Sequence, residues 1–417
     1  MKEEIIAGLD IGSTAVRLVV GQKIDGVDRE ELQVIGAVSS RTTGVSKGIV
    51  NSIEDVTSSI SECLEKAERL VGVPVDNVWV SVNDPYIKCE KSKGTVAVSK
   101  IDGEIDESDV ERAIEASRAL AVPTNYEILH VIPIKFSIDN QTDIKDPVGM
   151  SGVRLEVETL IVLGLNTQIK NLTKAIYRTG LDIEDLVLAP LAASEAALSV
   201  KQKELGVAVI NIGSSTTSLA IYEEGDLLHT AVLPLGSEHI TSDIAIGMRC
   251  PIGLADKIKI RHGHSSPSSF RKEEIDITDL MQEEGYEDDS NKYISKKYIA
   301  EIIEARVEEI FEKINNEFKK VNRYRMLPAG VVLVGGGSQL TGLVETAKEK
   351  LFLPASIGRC NSVRVVIDKV HNPEYLTALG LVIWGNRYSP SSENNLKGKM
   401  GDIFEKTKDF FKKMIPK

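Results

Sequence analysis

Two segments of the sequence repeat one pattern about 200 residues apart. Residues 7–21, AGLDIGSTAVRLVVG, and residues 208–222, AVINIGSSTTSLAIY, each read as a strand, an Asp or Asn, Ile-Gly, a hydroxyl-rich turn and a second strand. Such a repeat predicts duplicated halves that face one another. The chain has 417 residues, more than one hydrophobic core usually supports, so we expect at least two domains.

The turn residues of both hairpins suit the binding of phosphate. Gly12 and Gly213 let the backbone approach a ligand closely, so that turn amides can form an anion-binding nest. Hydroxyl donors follow each glycine, at Ser13, Thr14, Ser214, Ser215 and Thr216. Asp10 stands where a hydrated Mg²⁺ could bridge phosphates. The alternative is a pair of tight turns whose hydroxyls bond only to their own backbone.

A third glycine-rich segment follows a predicted buried strand. Residues 330–351, GVVLVGGGSQLTGLVETAKEKL, predict a strand, the glycines Gly335–Gly337, Ser338 and a helix from about Gly342. This order directs amides and a helix N-terminus toward a ligand. Leu340 stands where a dinucleotide fingerprint needs its third glycine, and the sequence has no Walker A motif, so neither of those folds is expected.

The rest of the chain alternates strand-like and helical stretches. This alternation predicts an α/β fold with largely buried sheets. Residues 85–165 differ in pattern and predict a small α+β insertion. The region 246–326 is more polar, with a long amphipathic helix at 298–321 and an acidic stretch at 283–291 that we interpret as a surface loop.

Composition excludes several classes of function. The formal net charge of -12 argues against general nucleic-acid binding. The four cysteines have neither metal nor redox spacing. No signal peptide is visible and no apolar run reaches the ~18 residues of a spanning helix, so any membrane contact is expected to be peripheral.

The last segment differs from everything before it. Residues 386–399 are rich in Ser and Asn and predict a flexible linker, and residues 400–417 predict an amphipathic helix. From 397 to 417, seven lysines against three acids give a net charge of +4. Apolar residues on one face and lysines on the other are typical of a helix at an anionic membrane surface. The alternatives are a helix docked on its own domain or a self-pairing coil. The membrane residues would be Ile403, Phe404, Phe410, Phe411, Met414, Ile415, Lys406, Lys412 and Lys413.

Five segments, in order, resemble the motifs of the actin/Hsp70/sugar-kinase ATPase superfamily. They are phosphate motif 1 (8–21), connect 1 (179–198), phosphate motif 2 (211–222), the adenosine motif (331–343) and connect 2 (372–385). Within that superfamily the chain is most similar to the FtsA family of bacterial cell-division actin homologues. The resemblance implies an actin-like two-lobed ATPase fold with a relocated subdomain, 1C in place of 1B, and a C-terminal amphipathic helix. It also implies ATP and Mg²⁺ as ligands.

The resemblance further implies a division of the chain into subdomains. These would be 1A (1–84), the inserted 1C (85–165), 1A continued (166–200), 2A (201–245), 2B (246–326), the end of 2A and the return to 1A (327–385), the linker (386–399) and the membrane-targeting helix (400–417).

Matching the family motifs residue by residue gives a nucleotide site. Asp256 and Lys259 match an acid and a lysine that contact ribose and base. The whole set is Gly12, Ser13, Thr14, Ala15, Gly213, Ser214, Ser215, Thr216, Gly236, Asp256, Lys259, Gly335, Gly336, Gly337 and Ser338.

The chain departs from the superfamily at the metal and catalytic positions. Asn211 replaces the usual Asp of motif 2, which weakens it as a metal ligand, and Ser218 replaces a second Asp. Ala189 stands where relatives carry the glutamate that orients the attacking water, and Glu195 is a weak substitute. Asp10 remains as the ligand for Mg²⁺, held through water. The sequence therefore favours nucleotide binding with weak ATPase activity at most.

FtsA resemblance implies a structural function. The chain would polymerise with itself and anchor FtsZ filaments to the cytoplasmic face of the cell membrane at the division septum, with FtsZ contacting about 246–326 and further division proteins as partners. One alternative is a binding module like the pilus-assembly protein PilM, which would take a partner peptide and usually lacks the terminal helix. The other is a small-molecule kinase, which would need a carboxylate as general base.

Overall fold

The computed structural model describes residues 4–25, 30–119, 122–285, 293–360, 363–365 and 367–388. The predicted membrane helix and nearly all of the predicted linker lie outside these residues, as does most of the acidic stretch at 283–291.

The described chain alternates strands and helices. The strands are β1 (Ile5–Ile11), β2 (Ala15–Asp25), β3 (Glu30–Arg41), β4 (Val45–Ser46), β5 (Ile49–Val50), β6 (Asn77–Val82), β7 (Lys88–Ala97), β8 (Tyr126–Ile138), β9 (Gln141–Ile144), β10 (Arg154–Leu165), β11 (Asp182–Leu188), β12 (Val207–Ile212), β13 (Thr217–Glu223), β14 (Asp226–Leu233), β15 (Glu274–Asp276), β16 (Tyr293–Ser295), β17 (Val331–Val334), β18 (Ala355–Ile357) and β19 (Arg364–Val365). The helices are α1 (Ile53–Val71), α2 (Glu107–Ser117), α3 (Asn166–Tyr177), α4 (Ala189–Ala197), α5 (Val200–Leu205), α6 (Ser237–Met248), α7 (Ile252–His262), α8 (Thr278–Glu283), α9 (Lys296–Lys320), α10 (Leu343–Leu351) and α11 (Leu376–Tyr388).

Two sheets share one plan. The first has the order β11-β6-β1-β2-β3-β19 and the second the order β14-β13-β12-β17-β18. In each, a hairpin strand pairs antiparallel with its successor and parallel with a later strand: β1 with β2 and β6, and β12 with β13 and β17. Every residue of β12 is buried, as expected for a strand covered on both faces. The duplication predicted from the sequence is therefore confirmed.

Helices α4 and α11 join the two halves. Helix α4 packs on β12 and β13 of the second sheet, and α11 packs on β1 and β2 of the first. The two helices also contact each other closely, because a Cβ atom on Gly380 would lie 1.8 Å from the carbonyl oxygen of Ala192. The small residues of α4 and this glycine allow the approach. The crossing forms the centre of a hydrophobic core that includes Tyr375 and Trp384.

The insertion has a sheet and a core of its own. Its strands are ordered β7-β10-β8-β9, and α2 packs on β7 and β10 over a cluster that includes Ile105, Phe136 and Leu155. Helix α2 begins with a capping box between Asp106 and Asp109. This part of the fold confirms the predicted α+β insertion.

In the part of the chain that the structure describes, no helix combines the length and the hydropathy needed to span a membrane.

Candidate functional site

The two repeated turns close in the same way. The Gly12 amide donates to the Ala15 carbonyl at 3.1 Å, and the Gly213 amide donates to the Thr216 carbonyl at 2.8 Å. Each turn thus has two residues at its tip. Within the described residues, the amides of these four tip residues donate to no backbone carbonyl, which leaves them available to an anion. The four tip residues are Ser13, Thr14, Ser214 and Ser215.

The turns face one another across the end of β6. The Asn83 side-chain amide donates to the Thr216 hydroxyl at 2.9 Å. The Gly48 amide donates to the Ser13 hydroxyl at 3.4 Å, and a Cβ atom on Gly48 would lie 2.3 Å from the carbonyl oxygen of Asn83. The segment around Gly48 and the end of β6 therefore lie between the two turns. Sequence reasoning missed both Gly48 and Asn83, since neither belongs to a repeated motif.

The glycine-rich segment lies against the second turn. Gly335 has a φ angle of 84°, and a Cβ atom there would lie 2.3 Å from the Asn211 side-chain oxygen. Gly337 is held equally close, since its Cβ would lie 2.6 Å from the Ile212 side chain. Gly336 differs because it is exposed and its nearest neighbour would be a Glu374 carboxylate oxygen at 4.0 Å. Of the three glycines, only Gly336 offers open space to a ligand.

Ser338 lies at the same place but inside the protein. It is buried, and its hydroxyl donates to the Gly335 carbonyl at 2.7 Å. It stabilises the turn instead of facing a ligand.

Asp10 lies near the end of β1, two residues before the Gly12 turn. Its Oδ1 accepts a hydrogen bond from the Ser81 hydroxyl at 2.5 Å, and it lies opposite Arg17 in the β1–β2 ladder. Burial raises the pKa of Asp10, although the Ser81 hydroxyl and the Arg17 charge both act to lower it. Arg17 in turn pairs with Glu374 at 2.7 Å, which ties the first hairpin to the loop beside Gly336.

Asn211, predicted as a doubtful metal ligand, is bonded within the protein. Its amide donates to the Thr377 hydroxyl at 3.2 Å, and the residue is buried against Gly335. The side chain therefore joins β12 to α11. Among the described residues, no group of three His, Cys, Asp or Glu side chains could enclose a metal ion. A hydrated Mg²⁺ fits this donor set better than an ion enclosed by protein ligands, because it needs only one or two protein carboxylates.

Helix α6 begins at the second turn. Gly236 precedes it, where a Cβ atom would lie 2.4 Å from the Ser214 carbonyl oxygen. Glu238, in the first turn of the helix, accepts hydrogen bonds from the hydroxyls of Ser215 at 2.7 Å and Ser214 at 3.3 Å. These two hydroxyls, predicted as phosphate donors, thus bond to Glu238, and their amides remain the better donors for an anion. Glu238 was missed in the sequence because acids are common in any first helical turn.

Asp256 and Lys259 lie on α7 and meet Thr241, which is one turn further along α6. The Lys259 ammonium donates to the Thr241 hydroxyl at 2.6 Å and to the Asp256 carboxylate at 2.7 Å. The Asp256 side chain is 48% exposed, whereas the Lys259 side chain is 14% exposed. The structure therefore brings these two predicted residues together and leaves the acid accessible.

Glu195 lies in an ion-pair network. One of its oxygens pairs with Lys203 at 2.8 Å and the other with Arg387 at 2.7 Å. Burial alone would raise the pKa of Glu195, but the two cations together hold that pKa below its ordinary value. Both oxygens are engaged, so this geometry does not support a role for Glu195 in orienting a water molecule.

Comparison with known families decides the class of protein. The family profile "Cell division protein FtsA" matches residues 208–380, and the profile "SHS2 domain inserted in FTSA" matches residues 85–163. Cell division protein FtsA of Pseudomonas aeruginosa is 34% identical to this chain, over 92% of the chain and 89% of the relative. The chain belongs to the FtsA family. FtsA of Bacillus subtilis is 37% identical over 91% of this chain and 83% of that protein. FtsA of Borreliella burgdorferi is 34% identical over 98% of this chain and 97% of that protein.

Solved structures confirm the fold that the FtsA family implies. A chain of the "PilM-PilN type IV pilus biogenesis complex" matches with a TM-score of 0.65 at 18% identity, over 91% of this chain and 98% of that one. MreB5 of Spiroplasma citri bound to ADP matches with a TM-score of 0.52 at 13% identity, over 92% of this chain and 96% of that one. The predicted actin-like architecture with its inserted subdomain is confirmed, whereas the subdomain boundaries and site residues stay predictions.

Proposed function

We propose that this FtsA-family chain is a membrane-associated, ATP-binding actin homologue that polymerises and tethers FtsZ filaments to the cytoplasmic membrane during septum assembly. One observation carries the nucleotide part of the proposal. Two matching turns with available amides face each other, joined by Asn83 and Thr216, beside the glycine-rich segment.

ATP suits this arrangement. Its phosphates would lie at the tip amides of the two turns, with Mg²⁺ held through water at Asp10. Gly336 leaves room on the adenosine side, and Asp256 and Lys259 would contact ribose and base. The MreB5 relative in fold was solved with ADP, which supports a nucleotide in the same cleft. Weak hydrolysis at most is proposed, because Glu195 is bound by two cations.

Nucleotide would act by changing how the two halves close. A ligand that touches both turns binds the closed arrangement better than an open one, so it shifts the population toward closure. Closure would alter the surfaces through which copies of the chain meet in a filament. In this proposal ATP serves assembly instead of turnover.

Membrane attachment would come from the C-terminal segment. The +4 charge of residues 397–417 and the aromatic face of the predicted helix support a peripheral anchor on anionic lipid. FtsZ would contact the region 246–326, with other division proteins bound elsewhere. The septal, cytoplasmic face of the membrane is the location that fits these partners.

Liposome co-sedimentation tests the anchoring function. Full-length protein and a 1–396 truncation would be mixed with anionic vesicles, with and without ATP, and with added FtsZ. We expect only the full-length protein to pellet and to carry FtsZ with it. A matched variant, Phe410→Ser with Phe411→Ser, keeps every lysine and should stay in the supernatant. Pelleting of the truncation to the same extent would contradict the proposal.

The same experiment separates a second candidate. The PilM-type chain that matches in fold comes from a complex with PilN, which favours a peptide-binding module as the alternative. If full-length protein neither pellets with vesicles nor retains FtsZ, that alternative is preferred. Turnover of a small-molecule phosphate acceptor would instead favour a kinase.

A further inference from the structure

A small cavity lies beside the two turns. It has a volume of about 30 Å³ and is bounded by the end of β6, the β4–β5 segment and the start of α3. Its polar lining consists of Ser81, Asn83, Asp84 and Gln168. That volume is large enough to admit a water molecule or an ion. Asp10, the carboxylate proposed for Mg²⁺, is not among the lining residues, although its partner Ser81 is.

Three oxygen atoms of the lining residues are buried without a hydrogen-bond partner in the protein. They are Oδ1 of Asn83, Oδ2 of Asp84 and Oε1 of Gln168. In two of these side chains the second polar atom already has a partner. The Asn83 side-chain NH₂ donates to the Thr216 hydroxyl, and Asp84 Oδ1 accepts from the Tyr86 amide at 2.8 Å. With Asp84 ionised, all three free atoms are acceptors, so they can be satisfied only by hydrogen-bond donors or by a cation.

The charge of the group favours a cation. Asp84 is only 3% exposed, and an unpaired buried carboxylate is costly. Burial raises the pKa of Asp84, and the Tyr86 amide is the one opposing influence that acts on it. A single carboxylate is neutralised by one positive charge. A divalent Mg²⁺ would leave one positive charge uncompensated and prefers to keep several waters instead of bonding directly to neutral carboxamide oxygens.

We propose that Asn83, Asp84 and Gln168 bind a monovalent alkali cation, K⁺ or Na⁺. The ion would complete the coordination of all three buried oxygens and fix the orientation of the Asn83 carboxamide. The same carboxamide bonds to Thr216 of the second turn. The ion would therefore stabilise the junction between the two halves of the molecule.

Thermal unfolding of the full chain without nucleotide is the first test. Samples would contain KCl, NaCl or N-methyl-D-glucamine chloride at equal ionic strength. We expect an alkali ion to raise Tm by about 2 °C or more, with saturation, because it binds the folded state alone. The alkali ion that gives the larger shift identifies the occupant. Equal Tm values in all three salts would overturn the proposal.

Two variants make the test specific. Asp84→Asn removes the charge and supplies an NH₂ donor in place of the cation, so Tm should become independent of the salt. Asp146→Asn is the matched control: Asp146 accepts from the Val148 amide at 3.0 Å in the same kind of turn, but at an exposed position. The control should keep the full response, and a salt response retained by Asp84→Asn would overturn the proposal.

A second pair of measurements does not depend on Asp84 variants folding. Gln168→Glu adds a carboxylate to the site and should lower the half-saturating cation concentration about tenfold, since an added charge contact is worth about 1.4 kcal/mol. Crystals soaked in Rb⁺ should show an anomalous peak between the three oxygens. An unchanged half-saturation together with no peak would show that water alone occupies the cavity and would overturn the proposal.

The link to nucleotide rests on the proposed function. ATP affinity should fall in N-methyl-D-glucamine for the natural chain and not for Asp84→Asn. If no ATP binds in any salt, the proposed function fails while the Tm response of the nucleotide-free protein still tests the cation site.

Discussion

The Asn83 carboxamide donates to the Thr216 hydroxyl at 2.9 Å, across 133 positions of sequence. Asn83 follows β6 of the first sheet, and Thr216 closes the turn of the second sheet. Within the first half, the Ser13 hydroxyl accepts from the Gly48 amide, and the α-carbon of Gly48 faces the Asn83 carbonyl. These contacts together with the Asn83–Thr216 bond fix the separation of the two turns. A ligand that needs both turns depends on this separation.

Replacing Asn83 by Ala should therefore weaken nucleotide binding without unfolding the protein. Loss of one neutral hydrogen bond is worth about 1 kcal/mol, so we expect ATP affinity to fall about fivefold. Fluorescence titration with a labelled ATP analogue measures it. Asn77→Ala, at the exposed start of the same strand, is the control and should bind as the natural chain does. Equal affinities of the two variants would count against the facing turns as the site.

Substitution by alanine should affect stability strongly at Gly335 and hardly at all at Gly336. Gly335→Ala forces a side chain into a φ of 84° and to within 2.3 Å of Asn211, so the free energy of unfolding should fall by about 2 kcal/mol or more. Gly336→Ala meets open space and should change it by less than about 0.5 kcal/mol. Urea unfolding followed by circular dichroism compares them.

Gly336→Asp then separates folding from binding at the same position. The variant should unfold at nearly the urea concentration of Gly336→Ala, because the position is exposed. Its side chain would fill the open space where the adenosine part of the nucleotide is proposed, and would add a second carboxylate beside Glu374, so ATP binding should be lost. ATP affinity equal to that of Gly336→Ala would refute the placement of the nucleotide beside Gly336.

Asp10→Ala should reveal the metal dependence of nucleotide binding. In the proposed site Asp10 acts on ATP only through hydrated Mg²⁺, so the variant should lose affinity about tenfold or more in Mg²⁺ and very little in EDTA. Isothermal titration in both conditions provides the comparison. An equal loss of affinity with and without Mg²⁺ would assign Asp10 to the shape of the turn instead.

The sequence pattern predicted the elements that short continuous stretches of sequence determine. The hairpins β1–β2 and β12–β13, the glycine-rich segment and α9 were all visible, because each is a continuous run with its own periodicity. Strand β11 was not recognised, since DIEDLVL carries three acids and is buried only at its end. Contacts of the site through Asn83, Glu238 and Thr377 could not be read from the sequence, because they arise only when distant elements pack together.

His130 should make stability depend on pH. It is buried on β8 and its Nε2 accepts from the Leu188 amide at 3.1 Å, which joins the insertion to the end of β11. Burial lowers the pKa of His130 to about 4, against an ordinary value of 6.5. Between pH 6.5 and pH 4, therefore, His130 is protonated in the unfolded chain but stays neutral in the folded chain. The contribution of neutral His130 is complete above pH 6.5 and is lost as the pH falls toward 4.

Between pH 7 and pH 5 this group should lower the free energy of unfolding by about 2 kcal/mol. The variant His130→Gln keeps an acceptor for the Leu188 amide but has no titrating ring, so its loss of stability over the same range should be smaller by that amount. Urea midpoints of both proteins at pH 7, 6 and 5 give the difference, in which the other titrating groups cancel. Parallel pH profiles would mean that His130 is accessible to protons in the folded protein, and that the contact between the insertion and β11 opens readily.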